Sequence, residues 1–90
     1  MNKMNEIKRV LPDFLYREIE SILSSRVGGD GRLGEIRLSR EGRCSIVHGG
    51  EALSLRARLT TWDIDEILSK ATHGSLYAHR ETAREGYITM

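Results

Sequence analysis

Three arginines carry the side chains of this sequence best suited to binding a charged partner. Arg56 and Arg58 alternate within one strand-like segment and therefore share a face, and Arg37 lies in an earlier segment of the same kind. A guanidinium presents a planar fork of donors that fits carboxylate or phosphate groups better than a lysine ammonium does. We therefore expect these arginines to face an acidic or phosphate-bearing partner, with an ordinary solvated sheet face as the alternative.

The neighbourhood of the arginines bears on nucleic-acid binding. No aromatic residue interleaves Arg37, Arg56 and Arg58 in the sequence. Single-stranded nucleic acid needs flat side chains on which its bases stack. The pattern therefore argues against a nucleic-acid partner, although a small α+β nucleic-acid-binding module using these three arginines stays as the alternative function.

Cys44 and His48 lie four positions apart in a strand-like segment, so their side chains point to the same face. Such a pair suggests a nucleophile and a general base. No orienting carboxylate and no oxyanion loop is evident beside them, so we favour a small buried cysteine next to a histidine at a strand end over a hydrolase. A lone cysteine forms no internal disulfide, which indicates a reducing compartment.

The glycine-rich segment 28–34 matches two phosphate-binding patterns by letter. Gly29-x-Gly31-x-x-Gly34 has the spacing of a dinucleotide fingerprint, and residues 28–31 spell a Gly-x-x-Gly loop. A helical pattern precedes the segment and a strand pattern follows it, the reverse of the order that the fingerprint requires. We therefore interpret the segment as a flexible connection between a helix and a strand.

Cofactor motifs are absent from the sequence. It holds no Gly-x-x-x-x-Gly-Lys-Ser/Thr, so the usual phosphate-binding loop of ATPases is missing. His73 and His79 are six positions apart, a poor spacing for one helical metal site, and only Cys44 adds a soft ligand. We expect no metal and no cofactor in this chain.

The length and composition indicate one globular domain. The 90 residues carry 14 basic and 13 acidic side chains, a net charge of +1, and are 39% hydrophobic. The near-neutral charge excludes a histone-like protein that coats a polyanion. No apolar run approaches the roughly 20 residues of a membrane-spanning helix. The sequence thus predicts a soluble, cytoplasmic domain spanning residues 1–90.

Apolar periodicity predicts the elements that position these residues. A helical stripe indicates a helix from about Leu11 to Ser25, with Pro12 in its first turn. Alternation then predicts three antiparallel strands, around residues 35–39, 43–48 and 53–59, with turns at residues 41–42 and 49–50.

The second half of the chain predicts two more helices and a return strand. Thr60 and Asp63 have the spacing of a capping box before a helix at residues 62–72, in which Trp62 adjoins the apolar stripe. Ser75 suits the cap of a further helix at residues 76–85. Residues 87–89 then have the pattern of a strand, and the sequence ends where this strand has just begun. This pattern predicts that the 90 residues are a piece of a longer protein.

Part of the sequence resembles stage III sporulation protein AA, in the region just before that family's ATPase core. The most specific block reads Thr72-x-x-Ser75-Leu76-Tyr77-Ala78-x-x-Glu81 and then Glu85-Gly86-Tyr87-Ile88-Thr89. Two shorter landmarks, Leu11-Pro12 and Glu35-Ile36-Arg37-Leu38, precede it in the same order. The resemblance covers residues 11–89.

The resemblance implies an α+β domain like the N-terminal domain of secretion ATPases: an N-terminal helix, a three-stranded antiparallel meander, two helices and a return strand. It implies a non-catalytic regulatory or assembly domain, truncated before an ATPase domain that binds Mg-ATP. The implied partners are that ATPase domain, neighbouring subunits of a hexamer, and the membrane proteins of a channel between mother cell and forespore. Only Arg37 falls inside a matching motif, so only Arg37 inherits a partner- or phosphate-facing role.

Overall fold

The structure, a computed structural model, describes residues 3–26, 33–39, 41–74, 76–82 and 85–89. Three helices and five strands lie within these residues. The helices are α1 (Lys3–Val10), α2 (Asp13–Ser25) and α3 (Thr61–His73); the strands are β1 (Leu33–Leu38), β2 (Arg43–His48), β3 (Glu51–Arg58), β4 (Tyr77–Thr82) and β5 (Glu85–Thr89). The expected α+β class is confirmed.

The five strands form one antiparallel sheet in the order β3-β2-β1-β5-β4. The predicted meander is the β1-β2-β3 half. The return strand β5 lies against the other side of β1, so β1 occupies the centre of the sheet. The last described segment of the chain is therefore an interior strand, and β3 and β4 are the edges.

Glycine makes both turns of the meander possible. Gly49 and Gly50 join β2 to β3 with φ of 61° and 82°, the left-handed backbone of a tight hairpin. Gly42 (φ 76°) closes the β1-β2 turn, and its carbonyl accepts a hydrogen bond from the Leu59 amide at 2.8 Å. The two turns predicted from the sequence are confirmed.

Alternation along the strands divides the sheet into two faces. The inner face carries the buried Ile36, Ile46 and Ile88; helices α2 and α3 pack against it, and α1 packs against these two helices in the same apolar core. The buried helix residues are Ile7 and Val10 of α1, Leu15 and Ile19 of α2, and Ile64, Ile67, Leu68 and Ala71 of α3. We call the opposite side, which carries Arg37, Ser45, Ser54, Tyr87 and His79, the outer face; none of these five residues is buried.

The two helices predicted before residue 73 are present with adjusted limits. Pro12 is the N-cap of α2 in an extended conformation, so it separates α2 from α1 instead of lying in a first turn. The capping box is confirmed: the Thr60 hydroxyl accepts from the Asp63 amide, and the Asp63 carboxylate accepts from the Thr60 amide. Trp62 is 69% exposed and therefore does not join the core stripe as predicted.

The helix predicted at residues 76–85 is wrong, because this segment forms β4 and the start of β5. Among the described residues of this segment before β5, Leu76 alone is buried and Ala78 is half-buried, which is too little apolar surface to hold a helix on the core. The segment instead forms a strand that pairs with β5. The predicted cap, Ser75, lies outside the described residues.

In the described part of the chain, no helix has the length and apolar character needed to cross a membrane.

Candidate functional site

The outer face holds all three candidate arginines, but it does not bring them into contact. Arg37 lies on the central strand β1, whereas Arg56 and Arg58 lie on the edge strand β3, at exposed positions that alternate with half-buried ones. Strand β2 separates the two groups, which places them about 10 Å apart across the sheet. The shared face expected from the sequence is present; the direct neighbourhood of Arg37 with the β3 arginines is not.

The Arg37 side chain is fixed by a hydrogen bond but is not buried. Its Nε donates a hydrogen bond to the Glu35 carboxylate two positions earlier on the same strand. This hydrogen bond, with the attraction of the carboxylate charge, raises the pKa of the Arg37 guanidinium. The side chain stays 58% exposed, and among the described residues Glu35 is its one hydrogen-bond and ion-pair partner. Glu35 therefore orients the guanidinium and leaves its outer edge for a partner.

Aromatic side chains lie next to Arg37 on the outer face. Tyr87 of β5 stands directly opposite Arg37, and His79 of β4 stands directly opposite Tyr87. The two ring centroids are 5.1 Å apart, with the planes tilted by 34°. The sequence argument against stacking of nucleic acid relied on the absence of aromatic residues among the arginines. Tyr87 and His79 lie on the side of Arg37 that faces away from Arg56 and Arg58, so they flank the arginines without interleaving them.

A depression of about 290 Å³ opens beside Arg37 at the β1-β5 end of the outer face. Leu38 and Gly86 contribute to its floor, and Tyr87 and Ser39 line it as well. Three carboxylates, Glu35, Glu81 and Glu85, complete the lining. The depression thus combines one guanidinium, one aromatic ring and several acceptors, a mixture suited to a polar planar ligand.

The Cys44 and His48 pair is structural. Both residues are buried on the inner face. Four residues along a strand span about 13 Å, too far for the histidine to take a proton from the thiol. Burial raises the pKa of the Cys44 thiol to about 12, the opposite of an activated thiolate. Among the described residues, Nδ1 of His48 has no hydrogen-bond partner.

The remaining motifs give no site within the described residues. Most of the glycine-rich segment lies outside them; Gly34 is part of β1. Nδ1 of His73 lies 2.7 Å from the Ser69 carbonyl, and His79 pairs with Tyr87. The described part of the chain contains no group of three or more histidine, cysteine or acidic side chains that could hold a metal ion.

Sequence reasoning missed Glu18. This α2 carboxylate accepts hydrogen bonds from the backbone amides of Arg56 and of Ala57, the latter at 2.9 Å. These amides belong to β3, an edge strand, whose exposed amides would otherwise attract another chain. Through these hydrogen bonds, Glu18 links helix α2 to the strand that carries Arg56 and Arg58.

A scan against protein-family models, a search of curated proteins and a search of solved structures find no match to this chain.

Proposed function

We propose that this chain is the N-terminal regulatory and assembly domain of a secretion-type sporulation ATPase and does not itself hydrolyse ATP. The observation that carries the proposal is the pairing of two separate blocks of the resemblance. Residues 35–38 and 86–89 are far apart in the sequence, yet β1 and β5 pair them residue by residue: Glu35 with Thr89, Ile36 with Ile88, Arg37 with Tyr87 and Leu38 with Gly86. The blocks that resemble the family thus form one structural unit.

The chemistry of that unit fits a docking role. Its inner side chains, Ile36, Leu38 and Ile88, belong to the core, whereas Arg37 and Tyr87 point outward. In the proposed protein this outer side faces the chain's own ATPase domain and the neighbouring subunits of a hexamer. Polar, moderately sized contacts are typical between domains of one chain. Arg37 is the residue that we propose for the contact, and Arg56 and Arg58 extend it along β3.

Two observations support the proposal that this chain is not itself catalytic. The phosphate-binding loop is missing from the sequence, and the one thiol is buried. Mg-ATP would bind in the ATPase domain. The full-length protein would act in the cytoplasm at the membrane, where it energises a channel between mother cell and forespore.

The test compares this chain with the product of its full reading frame. We expect the frame to encode a phosphate-binding loop within about one further domain, roughly a hundred residues. The full-length product should hydrolyse Mg-ATP and assemble, and the 90-residue chain should do neither. Magnesium-dependent turnover by the 90-residue chain that survives further purification would contradict the proposal, as would a reading frame without a phosphate-binding loop.

A further inference from the structure

One row of side chains crosses the whole outer face. The strand register sets each member directly opposite the next, from β4 through β5, β1 and β2 to β3. The row reads His79, Tyr87, Arg37, Ser45, Ser54. It contains two aromatic rings, one guanidinium and two hydroxyls, and no carboxylate. An exposed sheet with such a row offers both flat surfaces and hydrogen-bond donors to a ligand that lies across the strands.

The aromatic end of the row can stack with planar groups. His79 is exposed and Tyr87 is half-buried, and the two rings pack side by side with centroids 5.1 Å apart. Tyr77, 63% exposed, occupies the next outer position on β4. Aromatic side chains on an open antiparallel sheet are a recurrent platform for unpaired bases, because every base has a flat face.

The arginines supply the charge that a phosphate backbone needs. The Arg37 side chain is 58% exposed and pairs, within the described residues, with Glu35 alone, and Arg56 and Arg58 are exposed on β3. Arg43 of β2 stands directly opposite Arg58 and is also exposed, with its Nε 3.7 Å from the Glu41 carboxylate. A strand that stacks on Tyr87 and continues over β2 and β3 would therefore meet four guanidinium groups on one face.

The carboxylates beside Arg37 do not oppose this arrangement. Glu35, Glu81 and Glu85 line the depression next to Tyr87, where the edge of a stacked base would lie. Carboxylates accept hydrogen bonds from the exocyclic amines of bases. These three acceptors thus lie at the aromatic end of the face. The exposed guanidinium groups of β2 and β3 lie at the other end, where Arg43 is paired with the exposed Glu41.

We propose that the outer face binds single-stranded nucleic acid, with bases stacked on Tyr87 and His79 and phosphates paired with Arg37 and the arginines of β2 and β3. The binding is tested on the 90-residue chain alone, so its outcome is separate from the test of the proposed ATPase role. A docked ATPase domain would compete for the same surface.

The test is a titration of fluorescein-labelled 12-nucleotide dT and rU strands with the purified chain, followed by fluorescence anisotropy. We expect saturable binding whose log–log salt dependence has a slope of about −2 to −3, as three or four neutralised phosphates give for single strands. Duplex DNA of equal length should bind more weakly, and ATP or UMP in excess should not displace the strand.

Variants locate the binding on the outer face. Tyr87→Ala and His79→Ala should each weaken binding by about 5- to 100-fold, the effect of one lost stacking partner. Tyr87→Phe should retain it. Arg37→Ala should reduce the magnitude of the salt slope by about 0.7. Lys70→Ala, an exposed basic side chain on α3 in the helix layer, is the matched control and should change nothing.

Circular dichroism checks that each variant is folded, and because His79 is exposed, His79→Ala remains informative if Tyr87→Ala unfolds. No anisotropy change at low salt would overturn the proposal and leave the outer face to protein docking. The proposal would also be overturned if Lys70→Ala lost as much affinity as Arg37→Ala. It would be overturned, too, if His79→Ala and Tyr87→Ala both kept full affinity. In either case the binding would be non-specific attraction between charges.

Discussion

Arg37 and Tyr87 face each other across β1 and β5, fifty positions apart in the sequence. The pair lies at the centre of the exposed side of the sheet, with Glu35 orienting the guanidinium and His79 extending the aromatic surface. The inner neighbours, Ile36 and Ile88, are fully buried beneath them. The core therefore fixes the register that brings a guanidinium and an aromatic ring together.

The apolar interior should respond strongly to truncation. Ile19 and Ile67 are at most 1% exposed, so replacement by alanine should lower the free energy of unfolding by about 2–5 kcal/mol through lost burial and a residual cavity. Trp62→Ala is the control and should cost less than about 0.5 kcal/mol, since Trp62 is largely exposed. Urea denaturation measures all three variants. Unchanged midpoints for Ile19→Ala and Ile67→Ala would mean that the core faces are assigned wrongly.

The β1-β2 turn should tolerate no side chain at residue 42. A Cβ atom on Gly42 would lie 2.2 Å from the Leu59 carbonyl oxygen, and the positive φ adds backbone strain. Gly50 has a similar φ but open space around it, so Gly50→Ala adds the backbone strain without the steric clash. We expect this strain to lower the free energy of unfolding by about 1 kcal/mol. Gly42→Ala should lower the melting temperature clearly more than Gly50→Ala does. Equal melting temperatures would show that the turn can shift away from Leu59.

Glu18 should stabilise the edge of the sheet. Glu18→Gln weakens the hydrogen bonds from the Arg56 and Ala57 amides and should lower the free energy of unfolding by about 1–3 kcal/mol. Glu20→Gln, on the exposed side of the same helix, should stay within about 0.5 kcal/mol of the parent. Chemical denaturation compares the two variants, and equal effects would remove Glu18 from its proposed role.

The buried thiol should make stability depend on alkaline pH. Burial, with smaller contributions from Glu18 and Asp63, raises the pKa of Cys44 from 9.0 to about 12. Above pH 9 the unfolded thiol ionises while the folded thiol keeps its proton, so the stabilisation present below pH 9 is lost as the pH rises toward 12. Between pH 9 and 11, the parent should lose more unfolding free energy than Cys44→Ala. Parallel pH profiles would contradict the raised pKa.

Local chemistry made part of this fold predictable from the sequence. Thr60 and Asp63 mark the start of α3 because a capping box needs only residues three apart, and the paired glycines 49–50 mark a hairpin because few other residues adopt their backbone angles. The strand β4 was missed because it pairs with the adjacent β5, and β5 is in turn paired with the distant strand β1. A Cβ at Gly86 would lie 2.9 Å from the Leu68 side chain of α3, a close approach that the local pattern does not reveal.

The candidate site, like the fold, was predictable from the sequence only in part. Alternation in β3 correctly placed Arg56 and Arg58 on one face, since side chains two apart share a face in any strand. The neighbourhood of Arg37 required the order of the strands. Tyr87 reaches Arg37, and Glu18 reaches β3, through contacts between residues far apart in the sequence, for which a pattern read along one chain carries no signal. His79 meets Tyr87 within the β4-β5 hairpin, which was missed because residues 76–85 were predicted to be a helix.

The most direct measurement of the central claim is ATP turnover and assembly by the full-length product carrying Arg37→Ala, with Lys70→Ala as the matched control. Arg37 is an exposed strand residue, so its loss should leave the unfolding free energy of the 90-residue chain within about 0.5 kcal/mol of the parent. We predict lowered turnover or weakened oligomer formation for Arg37→Ala and parent-like behaviour for Lys70→Ala. Parent-like turnover together with normal assembly in Arg37→Ala would contradict the account and make Arg37 an ordinary solvated side chain.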